Sequence, residues 1–100
     1  MKRRVVELSE DARTDLLALY DWIAVAASPA IAVSYIERLE TYVLGFDLAS
    51  ERGHLREDIR PGLRIVGFEN RITIAFFVED DRVVILRIFY GGQNWTDSMQ

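Results

Sequence analysis

Residues 60–94, RPGLRIVGFENRITIAFFVEDDRVVILRIFYGGQN, place three strand-like runs and two tight turns one after another. Leu63 to Phe68, Ile72 to Val78 and Val83 to Tyr90 are rich in β-branched and aromatic residues, which fit a pleated, half-buried surface. Glu69-Asn70 breaks the first run from the second, and Asn tolerates the left-handed backbone that a tight hairpin demands. Glu79-Asp80-Asp81-Arg82 breaks the second from the third. The three runs therefore read as an antiparallel meander. The last, VVILRIFY, is almost continuously apolar, as a strand covered on both faces and lying inside a sheet should be. Arg87 is its one charge. Strict alternation sets Arg87 on the side of Val83, Ile85 and Phe89, opposite Leu86, Ile88 and Tyr90.

Working back toward the N-terminus, residues 50–61, SERGHLREDIRP, form a polar loop in which Gly53 can end a helix and Pro61 fixes the approach to the sheet. Before it, Ala32, Tyr35, Ile36, Leu39, Val43 and Phe46 recur at helical spacing, behind a Ser28 cap and a proline at the first helical position. An earlier helix follows the Ser9 cap, with Glu10 and Asp11 in its first turn and a stripe of Ala12, Leu16, Leu19, Ile23 and Ala26. The joint Ala27-Ser28-Pro29 is so short that the two helices must be antiparallel neighbours. Arg3 to Leu8 reads as a short strand joining the same sheet. The order strand, helix, helix, three strands predicts one α+β domain over residues 1–100, a helical hairpin packed on a four-strand, mainly antiparallel sheet.

Composition excludes several chemistries. The chain has no cysteine, which removes disulfides, thiolate metal sites and a cysteine nucleophile together. The lone His54 leaves no histidine-based triad or metal cluster, so neither metal nor cofactor is expected. No apolar run approaches the length of about 18 residues that spans a membrane, and the start MKRRVVELSE lacks the apolar core of a signal peptide, which makes the cytoplasm the expected compartment. A formal charge of −4 argues against direct binding of nucleic acid by bulk electrostatics. Arg52, Arg56, Arg60, Arg64 and Arg71 still punctuate the approach to the sheet, either as a local basic face or as partners of Glu57, Asp58 and Glu69.

The run LSEDARTDLLALYDWIA, the joint ASPAIAVSYIERL, the RPGLR approach and the ending VVILRIFYGGQNW, in this order over nearly the whole chain, resemble the ParE toxins of type II toxin–antitoxin modules, within the RelE/ParE superfamily. The resemblance implies a toxin that inhibits DNA gyrase by binding, held in a hetero-oligomer by a ParD-type antitoxin. The superfamily also holds RelE-like, ribosome-dependent mRNA endonucleases, which depend on clustered cations and a late Tyr or His around the scissile phosphate. Cutting RNA through its 2′-hydroxyl needs a base, an acid for the leaving oxygen and cations for the phosphate. Here Lys2 is the only lysine, and Tyr90 is followed by the neutral GGQNW. A binding toxin without catalysis is therefore expected, with Arg64, Arg87 and Tyr90 as the alternative catalytic set.

For the binding toxin, the target contacts expected are Arg60, Arg64, Arg71, Arg87 and Trp95, and the antitoxin contacts are the leftover apolar surface of the hairpin at Leu17, Trp22, Val33 and Tyr42. Arg87 has two readings. An unpaired guanidinium inside an apolar strand costs several kcal/mol, so Arg87 meets either an acidic partner protein or a carboxylate of its own domain.

Overall fold

The structure, a computed structural model, describes residues 3–91 together with residues 96 and 99. Strand β1 (Val5–Leu8) leads into helix α1 (Glu10–Ala26) and helix α2 (Pro29–Leu44), followed by a single 3-10 turn at Gly45–Asp47. Four strands complete the domain: β2 (His54–Leu55), β3 (Arg64–Phe68), β4 (Ile72–Val78) and β5 (Arg82–Tyr90). The sheet order is β1-β5-β4-β3-β2. β1 runs parallel to β5, and the remaining pairs are antiparallel. The sheet thus has five strands rather than four. The extra one is two residues long and lies within the polar segment read as loop, where no hydrophobic alternation could announce it.

Both helix starts follow from their caps. Ser9 Oγ accepts from the Ala12 amide and Ser28 Oγ from the Ile31 amide, while Pro29 occupies the first turn, where its missing N–H is not needed. α2 does not reach Gly53. It stops at Leu44, and Gly53 instead takes a left-handed φ of 72° beside β3, where a Cβ would strike the Ile65 carbonyl. The β3–β4 turn has Glu69 at φ 50° and Asn70 at φ 58°, two successive left-handed residues of the kind that match the twist of a hairpin.

Two hydrophobic clusters flank the sheet. The helix-side cluster joins Ala12, Leu19, Leu39, Val43 and Phe46 to Ile74, Phe76, Val83, Ile85 and Ile88. On the face of the sheet away from α1 and α2, Leu63, Ala75 and Phe89 are covered by Ile59 and by Met99, which is 5% exposed.

Strict alternation fails along β5. Ala75 pairs with Arg87 and the next residue, Phe76, with Ile85, so Leu86 is an extra residue on β5, a β-bulge. The bulge resets the period. Val83 and Ile85 before it and Ile88 and Tyr90 after it all join the helix-side cluster, while Leu86 and Phe89 join the other.

Candidate functional site

β5 is the axis of the molecule, flanked by β1 and β4 and packed beneath α1. β1 accompanies it only as far as Leu8↔Ile85. Beyond that point the start of α1 satisfies the open edge. Ser9 N–H donates to the Ile85 carbonyl at 2.9 Å, and Ser9 Oγ donates to the Leu86 carbonyl at 2.7 Å. Asp15 then accepts the Ile88 amide at 2.8 Å. The same carboxylate grips Arg87 with both oxygens, Nε–Oδ2 at 2.8 Å and Nη2–Oδ1 at 3.0 Å. Arg87 also lies 4.8 Å above the Phe89 ring. Hydrogen bonding to Asp15 raises the guanidinium's pKa further above its usual high value, so its charge is permanent. Of the two readings of Arg87, the structure holds the carboxylate of its own domain.

The other arginines divide by surroundings. Arg52 ties down the carbonyls of Gly45, Leu48 and Ala49, and Arg64 donates to the Arg52 carbonyl at 3.2 Å. Arg56 pairs with Asp58 at 2.8 Å. Arg60 is exposed, 5.6 Å from the Phe77 ring on the face away from α1 and α2. Arg71 is exposed at the β3–β4 turn, and its guanidinium makes no ion pair or hydrogen bond among the described residues. Most of the expected basic face is therefore spent inside the domain, leaving Arg60 and Arg71 presented. Arg64, Arg87 and Tyr90 are not brought into one constellation: Arg64 belongs to the 45–55 segment, Arg87 to Asp15, and Tyr90 stacks on Trp22 with ring centres 5.3 Å apart. Trp95 lies outside the described residues.

The hairpin's apolar surface is likewise two places. On one side Leu8, Leu16, Leu17, Tyr20 and Ile36, with the charged Arg13 and Glu40, line an open groove of about 540 Å³ between the helices, with Leu17 69% exposed. At the closed end of the hairpin lies a cleft of about 460 Å³. Trp22, Ile23 and Ala26 of α1 form one wall, Ile31 and Tyr35 of α2 the other, and Ile72 with Tyr90 the floor. Arg38, Glu69 and Arg71 form its lip. Val33 is exposed on α2 outside both, and Tyr42 is half-buried against the rings of Phe46 and Phe68. Trp22, Arg71 and Tyr90, assigned to three different purposes from sequence, meet in the cleft. Tyr35, Arg38 and Glu69 were missed there. Tyr35 read as part of an apolar stripe, and Arg38 and Glu69 are 31 residues apart, joined only by the fold in a bidentate pair of 3.1 and 3.2 Å.

A family model described as "ParE toxin of type II toxin-antitoxin system, parDE" matches residues 6–95. The chain belongs to the ParE toxin family. Its fold is similar to a solved structure of the chromosomal ParDE toxin–antitoxin system from P. aeruginosa, with a TM-score of 0.77, 25% identity, and coverage of 88% of this chain and 96% of that one. It is also similar in fold to a chain of the RelBE2 toxin–antitoxin complex from Mycobacterium tuberculosis, with a TM-score of 0.62, 22% identity, and coverage of 93% and 97%. No curated protein matches the sequence. On this ParE scaffold the groove and the cleft are concave surfaces the hairpin leaves open, and no helix is long and apolar enough to cross a membrane among the described residues.

Proposed function

We propose that this ParE-family chain is a cytoplasmic toxin that inhibits DNA gyrase by binding it, and that a ParD-type antitoxin neutralises it in a hetero-oligomer by laying an apolar segment into the groove at Leu17. The open groove carries the reading. Leu17 is 69% exposed between Tyr20 and Ile36, and an amphipathic segment covering it removes apolar surface from water at about 25 cal/mol per Å². The likeness to a ParDE structure supports the same partner class. Action by binding rather than cleavage is supported by the separation of Arg64, Arg87 and Tyr90, since phosphodiester cleavage needs its acid, base and cation around one phosphate. Arg60 beside Phe77, with Trp95, makes the target contact; Arg64 and Arg87 support the fold.

The test is a gyrase supercoiling and cleavage assay on the purified chain, run beside mRNA cleavage on translating ribosomes, each with and without the antitoxin encoded next to the toxin. Gyrase inhibition with intact mRNA, relieved by antitoxin and no longer relieved in Leu17→Asp, is the expected result. Codon-level mRNA cuts with unaffected gyrase would replace this reading with the RelE-like one.

A further inference from the structure

The cleft at the closed end of the hairpin has a chemistry the groove lacks. Its walls are apolar and its edge runs out into exposed apolar residues, Trp22 at 50% and Ile31 at 56%. Its lip carries one net positive charge. Glu69 is already matched by Arg38, so Arg71 is left over, on a chain whose formal charge is −4. Beneath the lip, the Tyr35 hydroxyl is buried without a hydrogen-bond partner among the described residues, with the Arg38 guanidinium 5.0 Å above its ring. That hydroxyl is sealed from solvent, so the polar groups the lip offers a ligand are the Arg38 and Arg71 guanidiniums and the Glu69 carboxylate. An apolar cavity of a few hundred Å³ with a few convergent polar groups is the usual form of a binding site.

We propose that this cleft receives a peptide segment of a protein partner that presents a large apolar or aromatic side chain next to a carboxylate, the side chain resting against Trp22 and Ile31 and the carboxylate pairing with Arg71. The exposed apolar rim favours a polypeptide over a small free carboxylate, because a small ligand would leave Trp22 and Ile31 wet. The planar guanidinium favours a carboxylate over a neutral acceptor, since Arg binds it through two parallel bonds. This inference rests on the reading of the chain as a protein-binding toxin, and concerns the cleft rather than the groove.

The test uses the full chain and a displayed library of random 12-residue peptides, followed by anisotropy of the labelled winners. Enriched peptides are expected to carry an aromatic or large aliphatic residue within about two positions of Asp or Glu. Arg71→Gln should weaken them about tenfold, and replacing the acidic residue by its amide should weaken them similarly on the wild-type chain but hardly further on Arg71→Gln. Trp22→Ala should weaken binding independently. Additive effects of the arginine and the acidic residue, winners without an acidic residue, binding indifferent to both substitutions, or no enrichment at all would each overturn the proposal. Gyrase inhibition is measured separately on the same preparations, so loss of the toxin reading and loss of the cleft reading are told apart.

Discussion

Asp15 holds Arg87 through both carboxylate oxygens and, with one of them, the amide of Ile88, so one side chain of α1 satisfies both the charge and the open edge of the central strand. The arrangement is half-sheltered, with side-chain exposures of 29% and 14%. Asp15→Ala removes three hydrogen bonds and leaves a guanidinium without its partner, at a cost of about 2–3 kcal/mol. Arg87→Met removes the guanidinium from above Phe89 but leaves Asp15 with the Ile88 amide, so it costs less, about 1 kcal/mol. Each kcal/mol lowers the thermal midpoint of a domain this size by about 4–8 °C, so calorimetry of the two variants and their double mutant measures the difference and its non-additivity. An unchanged midpoint in Asp15→Ala would refute the structural role.

Ser9 serves two elements with one hydroxyl. Its Oγ accepts from the Ala12 amide to start α1 and donates to the Leu86 carbonyl at the bulge. A cap alone is worth about 1 kcal/mol, and the second bond brings the expected cost of Ser9→Ala to about 2 kcal/mol. Ser9→Gly also loses the bond to Leu86 but remains a tolerable cap, so it should cost about 1 kcal/mol, less than Ser9→Ala, and at Ser28, whose hydroxyl makes only the cap bond, alanine should cost about 1 kcal/mol. Urea titration of the three variants checks the order.

These contacts mark where sequence reasoning reached and where it stopped. Ser9, Ser28 and Pro29 announced both helices because capping is local chemistry, and the meander followed from β-branched runs around Glu69-Asn70. The bulge at Leu86 was illegible, because Leu86 and Ile88 are both apolar and no residue type reports which face they take. β2 was illegible for the opposite reason, being two residues whose pairing with Ile65 and Arg64 is purely main-chain. For the cleft, the sequence named Trp22, Arg71 and Tyr90 one by one. Their convergence with Tyr35, Arg38 and Glu69 depends on the hairpin's closed end meeting the β3–β4 turn, a long-range fact with no short motif.

Gly53 and Gly91 share a left-handed backbone but not their surroundings, with φ 72° and 64°. A Cβ at Gly53 would press on the Ile65 carbonyl and the Val66 side chain, whereas at Gly91 nothing lies within 4 Å among the described residues. Gly91→Ala should therefore cost only the backbone term, about 1 kcal/mol, while Gly53→Ala adds a steric clash at the β2–β3 edge and costs about 3 kcal/mol or more. Equal midpoints for the two variants in thermal denaturation would show that the β2 edge yields freely.

Tyr35 joins stability to pH. Its hydroxyl is buried and unpartnered among the described residues, while its ring stands edge-on to Phe68, 5.9 Å between centres. Burial first, then the charge of Glu69, pushes the phenol's pKa above the ordinary value of 10.0, with Arg71 and Arg38 opposing. The folded pKa thus exceeds the unfolded one, so the folded chain holds the proton longer. Well below pH 10.0 the phenol is protonated in both states and stability does not change; as pH rises through 10.0 the unfolded chain ionises first, and stability falls until the folded phenol ionises too. Tyr35→Phe keeps the ring and removes the orphan hydroxyl, so at neutral pH it should be more stable than the wild type by about 1 kcal/mol. Across the alkaline range, as pH rises through 10.0, its advantage should grow, because the other tyrosines contribute to both proteins alike and only the Tyr35 slope is gone. Guanidinium titrations of both proteins across that range decide it. Parallel pH curves would mean that the folded protein ionises Tyr35 as easily as the unfolded chain does, and that its hydroxyl already has a partner.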